Sequence, residues 1–205
     1  MKEKTLQNTY WPFELDKIHD YAFWNNAFTP RECEQIIEIS STELNKKAKT
    51  NLKKGTVIKS DKNLSHIRDS DLTWLYAADD MGWVFEKVTN IITKLNKKYF
   101  QFNLNGLGEG FQFTKYKSPQ GKYEKHVDRA FDTPVRKLSL TIQLSDPSSY
   151  EGGELLLHQG SEPTIISKEQ GYLCLFPSYT LHEVKPVLKN ERFSLVGWVT
   201  GESFK

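Results

Sequence analysis

Residues 112–128 read QFTKYKSPQGKYEKHVD and close on His126-Val127-Asp128, two metal-ligating side chains one residue apart. In a β-strand alternate side chains share a face, so as a strand this stretch sends His126 and Asp128 into one space. Two ligands do not hold a metal, and the pair alone is compatible with any metal or with none. The rest of the chain must therefore supply a third ligand, a pocket and something to react.

Around this stretch the sequence is β-like. Short runs at Phe100–Leu104, Gly110–Tyr116, Tyr123–Asp128, Lys137–Leu144 and Gly153–His158 precede others at Thr164–Ser167, Gly171–Phe176, His182–Val187 and Arg192–Thr200. Asn105-Gly106, Asp146-Pro147, Gly152-Gly153 and Lys189-Asn190 punctuate them as turns. Many short strands at this spacing predict a sandwich or barrel.

Before Tyr99 the texture is helical or irregular. Thr29-Pro30-Arg31-Glu32 reads as a helix start, with Ile36, Ile37 and Leu44 on the buried side of a helix from about Pro30 to Leu44. Val84, Phe85, Val88, Ile91, Ile92 and Leu95 recur at three- and four-residue steps and predict a helix over Met81 to Lys98. Between them, Ser65 to Arg68 reads as a short strand, and Ser70 or Asp71 as the cap of a short segment holding Trp74 and Leu75. Aromatics at Tyr10, Trp11, Phe13, Tyr21, Phe23, Trp24 and Phe28 suit an arm laid over a neighbouring core. The lysine-rich residues 46–63 suit a solvated connection. The fold expected is α+β, one domain over 1–205, with a helical support region (1–99) packed on a β-barrel (100–200).

Composition narrows the class. The chain has 205 residues, 38% of them hydrophobic, enough for one sizeable core. Twenty-eight basic residues nearly balance 26 acidic ones, so neither nucleic acid nor a membrane surface is called for. Cys33 and Cys174 form no CxxC pair and read as buried or free thiols. With no apolar leader and no run of about 18 apolar residues, a cytoplasmic protein is expected.

Of the five histidines, His19, His66, His126, His158 and His182, the four besides His126 offer a third ligand. His19 and His66 lie in the front half, and His158 reads as a turn residue. His182 follows the turn Pro177-Ser178-Tyr179-Thr180 and opens a strand that returns it beside His126. Two imidazoles and one carboxylate leave about three positions open on an octahedral ion, a set suited to ferrous iron and oxygen. The zinc-protease HExxH pattern fails, because Pro186 stands where its second histidine belongs. Arg192 and Ser194 share a strand face, and an inward guanidinium needs an anion that a bound dicarboxylate would provide. In Lys137–Leu144, Leu138, Leu140, Ile142 and Leu144 alternate with Ser139, Thr141 and Gln143, whose face is either solvated or part of a site.

These features together resemble the 2-oxoglutarate- and iron(II)-dependent dioxygenases of the prolyl 4-hydroxylase-like class. The resemblance spans roughly Phe100 to Thr200. It rests on HVD at 126–128, His182 and RFS at 192–194, with QFTKYKSPQGKYEKHVD and Tyr150-Glu151-Gly152-Gly153-Glu154-Leu155 around them. What it implies is a double-stranded β-helix, or jelly roll, holding iron(II) through His126, Asp128 and His182. It further implies that Arg192 binds the distal carboxylate of 2-oxoglutarate, with Ser194 nearby and Tyr116 lining that pocket. Trp198 stands at an aromatic position beside the site, and Gln143 stands where some members bring a tyrosine to the same carboxylate. Asp128 implies hydroxylation, or demethylation through it, because halogenating relatives lack that carboxylate. The implied reaction consumes O2 and 2-oxoglutarate, releases succinate and CO2, and hydroxylates a C–H bond, with ascorbate as a further expected ligand. A peptidyl prolyl residue is the first substrate expected, with other peptides, proteins and small molecules open, and no oligomeric state follows. The segments expected to choose among substrates are 10–28, 46–63 and 129–136. A cupin-type metalloenzyme without 2-oxoglutarate, which leaves Arg192-Phe193-Ser194 unexplained, and a non-catalytic binding module are the alternatives.

Overall fold

A computed structural model describes residues 19–49, 67–128 and 135–203. Expectations placed on Tyr10, Trp11 and Phe13, on His66, and on 50–63 and 129–134 lie outside these residues.

In chain order the front half comprises β1 (Ala22–Trp24), α1 (Pro30–Lys49), β2 (Arg68–Asp69) and β3 (Asp71–Leu75). A π-helical turn (Ala77–Met81), α2 (Gly82–Leu95) and a second π-helical turn (Asn96–Phe100) follow. The next strands are β4 (Leu104–Leu107), β5 (Phe111–Lys117), β6 (Lys122–His126) and β7 (Arg136–Gln143). After a short 3-10 turn come β8 (Glu151–Gly152), β9 (Leu155–His158) and β10 (Thr164–Ile165). The chain ends through β11 (Leu173–Pro177), β12 (Leu181–Val184), β13 (Val187–Lys189) and β14 (Glu191–Gly201).

The strands form a larger sheet in the order β1-β11-β7-β14-β5-β3, with β4 on the far end of β14, and a smaller sheet in the order β10-β9-β12-β6-β2. The paired strands are antiparallel throughout, and the fold is the expected jelly roll with helices packed on it. One alternation organises the larger sheet. Phe111, Phe113, Leu138, Leu140, Ile142, Leu173, Leu175, Leu195 and Val199 face the helical layer, where they pack with Cys33, Ile36, Val84, Val88 and Ile92. The intervening residues face the smaller sheet, where Tyr116, Cys174 and Phe176 pack with Leu155, Leu157 and Val184. Ser139, Thr141 and Gln143 take this second direction and are buried. Their face is therefore interior, not solvated.

The helical layer begins as its sequence suggests. Thr29 and Glu32 close a capping box: Glu32 N–H donates to Thr29 Oγ1 (3.3 Å), and Thr29 N–H donates to Glu32 Oε2 (2.7 Å). Lys87 Nζ on α2 reaches the same carboxylate at 2.8 Å and ties the helices together. Cys33 and Cys174 are free and buried in different layers.

Several boundaries differ from expectation. α1 continues to Lys49, so the first residues of the lysine-rich run are helical. Asp71–Leu75 is an edge strand of the larger sheet and not a capped segment: Leu75 enters the helix-facing core while Trp74, one residue away, faces the cavity. Of the run expected at 100–104, residues 100–103 are not a strand. Gln101 adopts a left-handed φ of 54°, its N–H donates to Asn96 O (2.7 Å), and pairing starts only at Leu104. The run at 182–187 divides into β12 and β13 around Pro186, which has no N–H to continue a ladder.

Candidate metal and co-substrate site

The two halves of the site meet across one strand pair. β12 lies beside β6, with His182 directly opposite His126. Asp128 sits two residues past the end of β6, not within the strand, and its N–H is held by Ser178 O at 3.0 Å. The candidate ligand atoms of His126, Asp128 and His182 all lie within 4.8 Å of one another. His126 Nε2 is 3.5 Å from Asp128 Oδ1, and His182 Nε2 is 3.5 Å from Oδ2.

Backbone carbonyls fix both imidazoles. His126 Nδ1–H donates to Glu124 O (2.7 Å) and His182 Nδ1–H to Thr180 O (2.9 Å). Each Nε2 therefore points toward Asp128 and is the ring atom placed to meet a metal. Burial lowers the His182 pKa, against the opposing pull of Asp128. Burial acts to raise the Asp128 carboxyl, but the hydrogen bond with His126, the charge of His182 and the nearby Trp198 indole outweigh it. The carboxyl is held well below the usual range. Two imidazole nitrogens and one carboxylate facing one another are a donor set suited to a divalent ion.

The cluster opens into a cavity of about 190 Å³ that is also lined by Tyr116, Arg192, Ser194 and Trp198. Arg192 is 1% exposed and has no carboxylate partner among the described residues. Its Nη2 donates to Gln143 Oε1 (2.8 Å), its Nη1 approaches Ser194 Oγ (3.5 Å), and its ring neighbour is Tyr116 at 5.4 Å. Nε finds no acceptor at all. A buried charge with an unused donor costs several kcal/mol unless an anion meets it. Gln143 does not line the cavity wall; its carbonyl oxygen accepts from Arg192.

Other residues take their place in or around the site only in three dimensions. Gly153 has φ +68°, and a Cβ there would lie 2.8 Å from Arg192 Cδ, so the glycine makes room for the arginine stem. Tyr150 OH is buried and unpartnered. Burial raises its pKa against the pull of Arg192, so it stays protonated and can donate. Tyr123 stacks on His126 with centroids 3.5 Å apart and lines the cavity. The cause is a β-bulge: His182 pairs with His126 but Val184 with Tyr123, so β6 carries one extra residue there. Both side chains consequently point inward although their numbers differ in parity. Arg136 lies over Trp198 (3.9 Å) and forks Glu109 through two 2.8 Å bonds. His158 closes β9 and pairs with Glu183 Oε1 (2.9 Å), away from the cluster's ligand set. His19 packs on Tyr99.

With this geometry in view, comparison with known proteins is informative. Residues 111–200 match the family described as the 2OG-Fe(II) oxygenase superfamily. This stretch is similar to a 2OG-Fe(II) oxygenase core. It contains the three clustered ligands and Arg192. A PKHD-type hydroxylase from Prochlorococcus marinus is 41% identical over 91 residues, covering 44% of this chain and 41% of that protein. A second P. marinus PKHD-type hydroxylase is 39% identical over 114 residues, covering 55% of this chain. The chain thus spans only about half the length of the curated relatives it matches. A prolyl-4-hydroxylase from Pseudomonas putida shares the fold with a TM-score of 0.68 at 18% identity, over 90% of this chain and 94% of that one. Across the described residues no helix is long and apolar enough to cross a membrane.

Proposed function

We propose that this protein is a 2-oxoglutarate- and iron(II)-dependent hydroxylase acting on a peptide, with a prolyl residue as the first substrate to try. The observation that carries the reading is Arg192, a buried guanidinium with an unused Nε, sharing one cavity with the His126, Asp128 and His182 cluster. When bound, iron(II) and 2-oxoglutarate supply the oxidising power, with O2 consumed, succinate and CO2 released, and oxygen inserted into a C–H bond.

The chain's own residues divide the remaining work. His126, His182 and Asp128 hold the metal, their orientation set in advance by Glu124 O, Thr180 O and the Asp128 N–H bond to Ser178. Arg192 receives the far carboxylate of 2-oxoglutarate, aimed by Gln143, with Ser194, Tyr116 and Tyr150 around it. Gln143 thus acts as the orienter of Arg192 and not as a direct donor to the co-substrate. Trp198 and Tyr123 wall the cavity beside the three ligands and would exclude water from it. A metalloenzyme without 2-oxoglutarate leaves the unpartnered Arg192 donor without a purpose.

The peptide assignment draws support from fold neighbours. One is a Trichoplax adhaerens prolyl hydroxylase in complex with a hypoxia-inducible-factor oxygen-degradation-domain peptide, at TM-score 0.66 and 17% identity over 89% of this chain.

The test is succinate formation from 2-oxoglutarate over a panel of prolyl peptides, free amino acids and small metabolites, with mass spectrometry for the gain of one oxygen. Adding 2-oxoglutarate to the anaerobic iron protein is expected to give a weak visible charge-transfer band. Arg192→Met is expected to weaken 2-oxoglutarate binding about a hundredfold, from loss of a charged, desolvated contact. No band and no succinate in the parent protein, or unchanged affinity in R192M, overturns the assignment.

A further inference from the structure

Arg68, on β2, lines the same cavity as Arg192 and Arg136. Its Nε donates to Ser70 Oγ (2.9 Å), and its Nη2 to Gln112 Oε1 (2.7 Å) and, more weakly, Thr114 Oγ1 (3.5 Å). The guanidinium lies 4.6 Å from the centre of the Tyr123 ring, which itself stacks on His126. All these partners are neutral. Among the described residues no carboxylate meets Arg68, and its Nη1 makes no hydrogen bond.

The charges of the cavity make this informative, taking the proposed function as the starting point. An iron(II) ion with Asp128, a 2-oxoglutarate dianion with Arg192, and Arg136 with Glu109 together carry no net charge. Arg68 is left over. Its side chain is already held by three acceptors and an aromatic face, so little freedom is lost when an anion docks. A positive, half-enclosed wall also concentrates anions ahead of neutral molecules.

We propose that Arg68 receives a carboxylate of the substrate, so that this site selects a substrate carrying an acidic group close to the reacting residue. That carboxylate belongs either to an Asp or Glu side chain of a peptide or to the terminus of a short peptide.

Binding to the protein loaded with zinc(II) and 2-oxoglutarate tests this without turnover, read by the fluorescence of Trp74 and Trp198 in the cavity wall. The probes are acetyl-Gly-Pro-Glu-amide against its Gln counterpart, and acetyl-Gly-Gly-Pro with a free against an amidated terminus. At least one acidic member is expected to bind about tenfold tighter than its neutral partner, the range of a charge-assisted hydrogen bond. Which pair discriminates names the source of the carboxylate. Arg68→Met is expected to bring that ratio near one, and Arg68→Lys, which keeps the charge and guards against misfolding, to restore part of it. Equal binding of both members, absence of binding by all four probes, or a ratio that survives in R68M overturns the proposal. Charge discrimination without any succinate formation leaves Arg68 its role and brings down the oxygenase reading; succinate without discrimination does the reverse.

Discussion

At Gly153 the backbone is left-handed and the Arg192 stem fills the space a side chain would need. Gly153→Ala is therefore expected to cost about 1–2 kcal/mol from the backbone alone. It should also displace Arg192, weakening 2-oxoglutarate binding while leaving metal affinity intact. A thermal melt and paired metal and 2-oxoglutarate titrations check this, and equal loss of both affinities contradicts it. The same scale explains what the sequence revealed. His126, Asp128, His182 and Arg192 were legible because ligand chemistry is scarce: five histidines in the chain, one HxD pair, and one arginine two residues from a serine on a presumed strand. Tyr123 was not, because strand parity sets it opposite His126 and only the bulge in β6 turns both inward. Arg68 was hidden for another reason. Its meaning comes from a partner more than forty residues away in sequence, through the 2.7 Å bond from Arg68 to Gln112.

Among the elements, α1 offers the clearest handle. The Glu32 carboxyl, raised by burial but lowered more by Lys87 and Thr29, sits below its ordinary value of 4.5. A depressed carboxylate stabilises the fold fully above its unfolded pKa, and the contribution disappears as pH falls through the folded value. Glu32→Gln is therefore expected to cost about 1 kcal/mol near neutrality, the size of a partly exposed cap. The difference from the parent should shrink as pH drops below about 4.5. Urea unfolding at pH 7 and pH 3.5 checks it, and a gap that widens in acid counts against the cap. This helix start and the apolar stripe of α2 were readable because local sequence alone writes them. The stretch at 100–103 was misread because its apolar pattern suits a strand, whereas the left-handed Gln101 and the bonds between Asn96 and Phe102 hold it as a helix terminus. The edge strand Asp71–Leu75 was obscured by its Ser70-Asp71 start, a common helix-cap signal, and is set by pairing with β5.

For the molecule as a whole, the two cysteines report on separate layers. Burial pushes the Cys33 thiol up to about 12 and the Cys174 thiol higher still, so neither supplies a thiolate in the native state. Both are expected to resist a thiol reagent in the folded protein and to react at one common rate as it unfolds, because the helical layer and the larger sheet share one core. Faster modification of Cys33 would mean that the helices detach first. The strand-rich back half was predictable from the spacing of its short runs and turn signals. What alternation left open was the use of the second face in β7, where Ser139, Thr141 and Gln143 fitted a solvated surface as well as a site interior.

That alternation carries a consequence for how such a chain tolerates change. In β5, β7 and β14, successive residues answer to different demands, one to the layer against the helices and the next to the cavity. Substitutions at cavity positions can recast what the site accepts with little damage to the layer beneath. A one-residue deletion inside β14 instead exchanges the two roles, turning Arg192 toward the helices and Phe193 toward the co-substrate. Strand length in this chain is thus the more tightly constrained quantity, and side-chain identity on the cavity face the freer one.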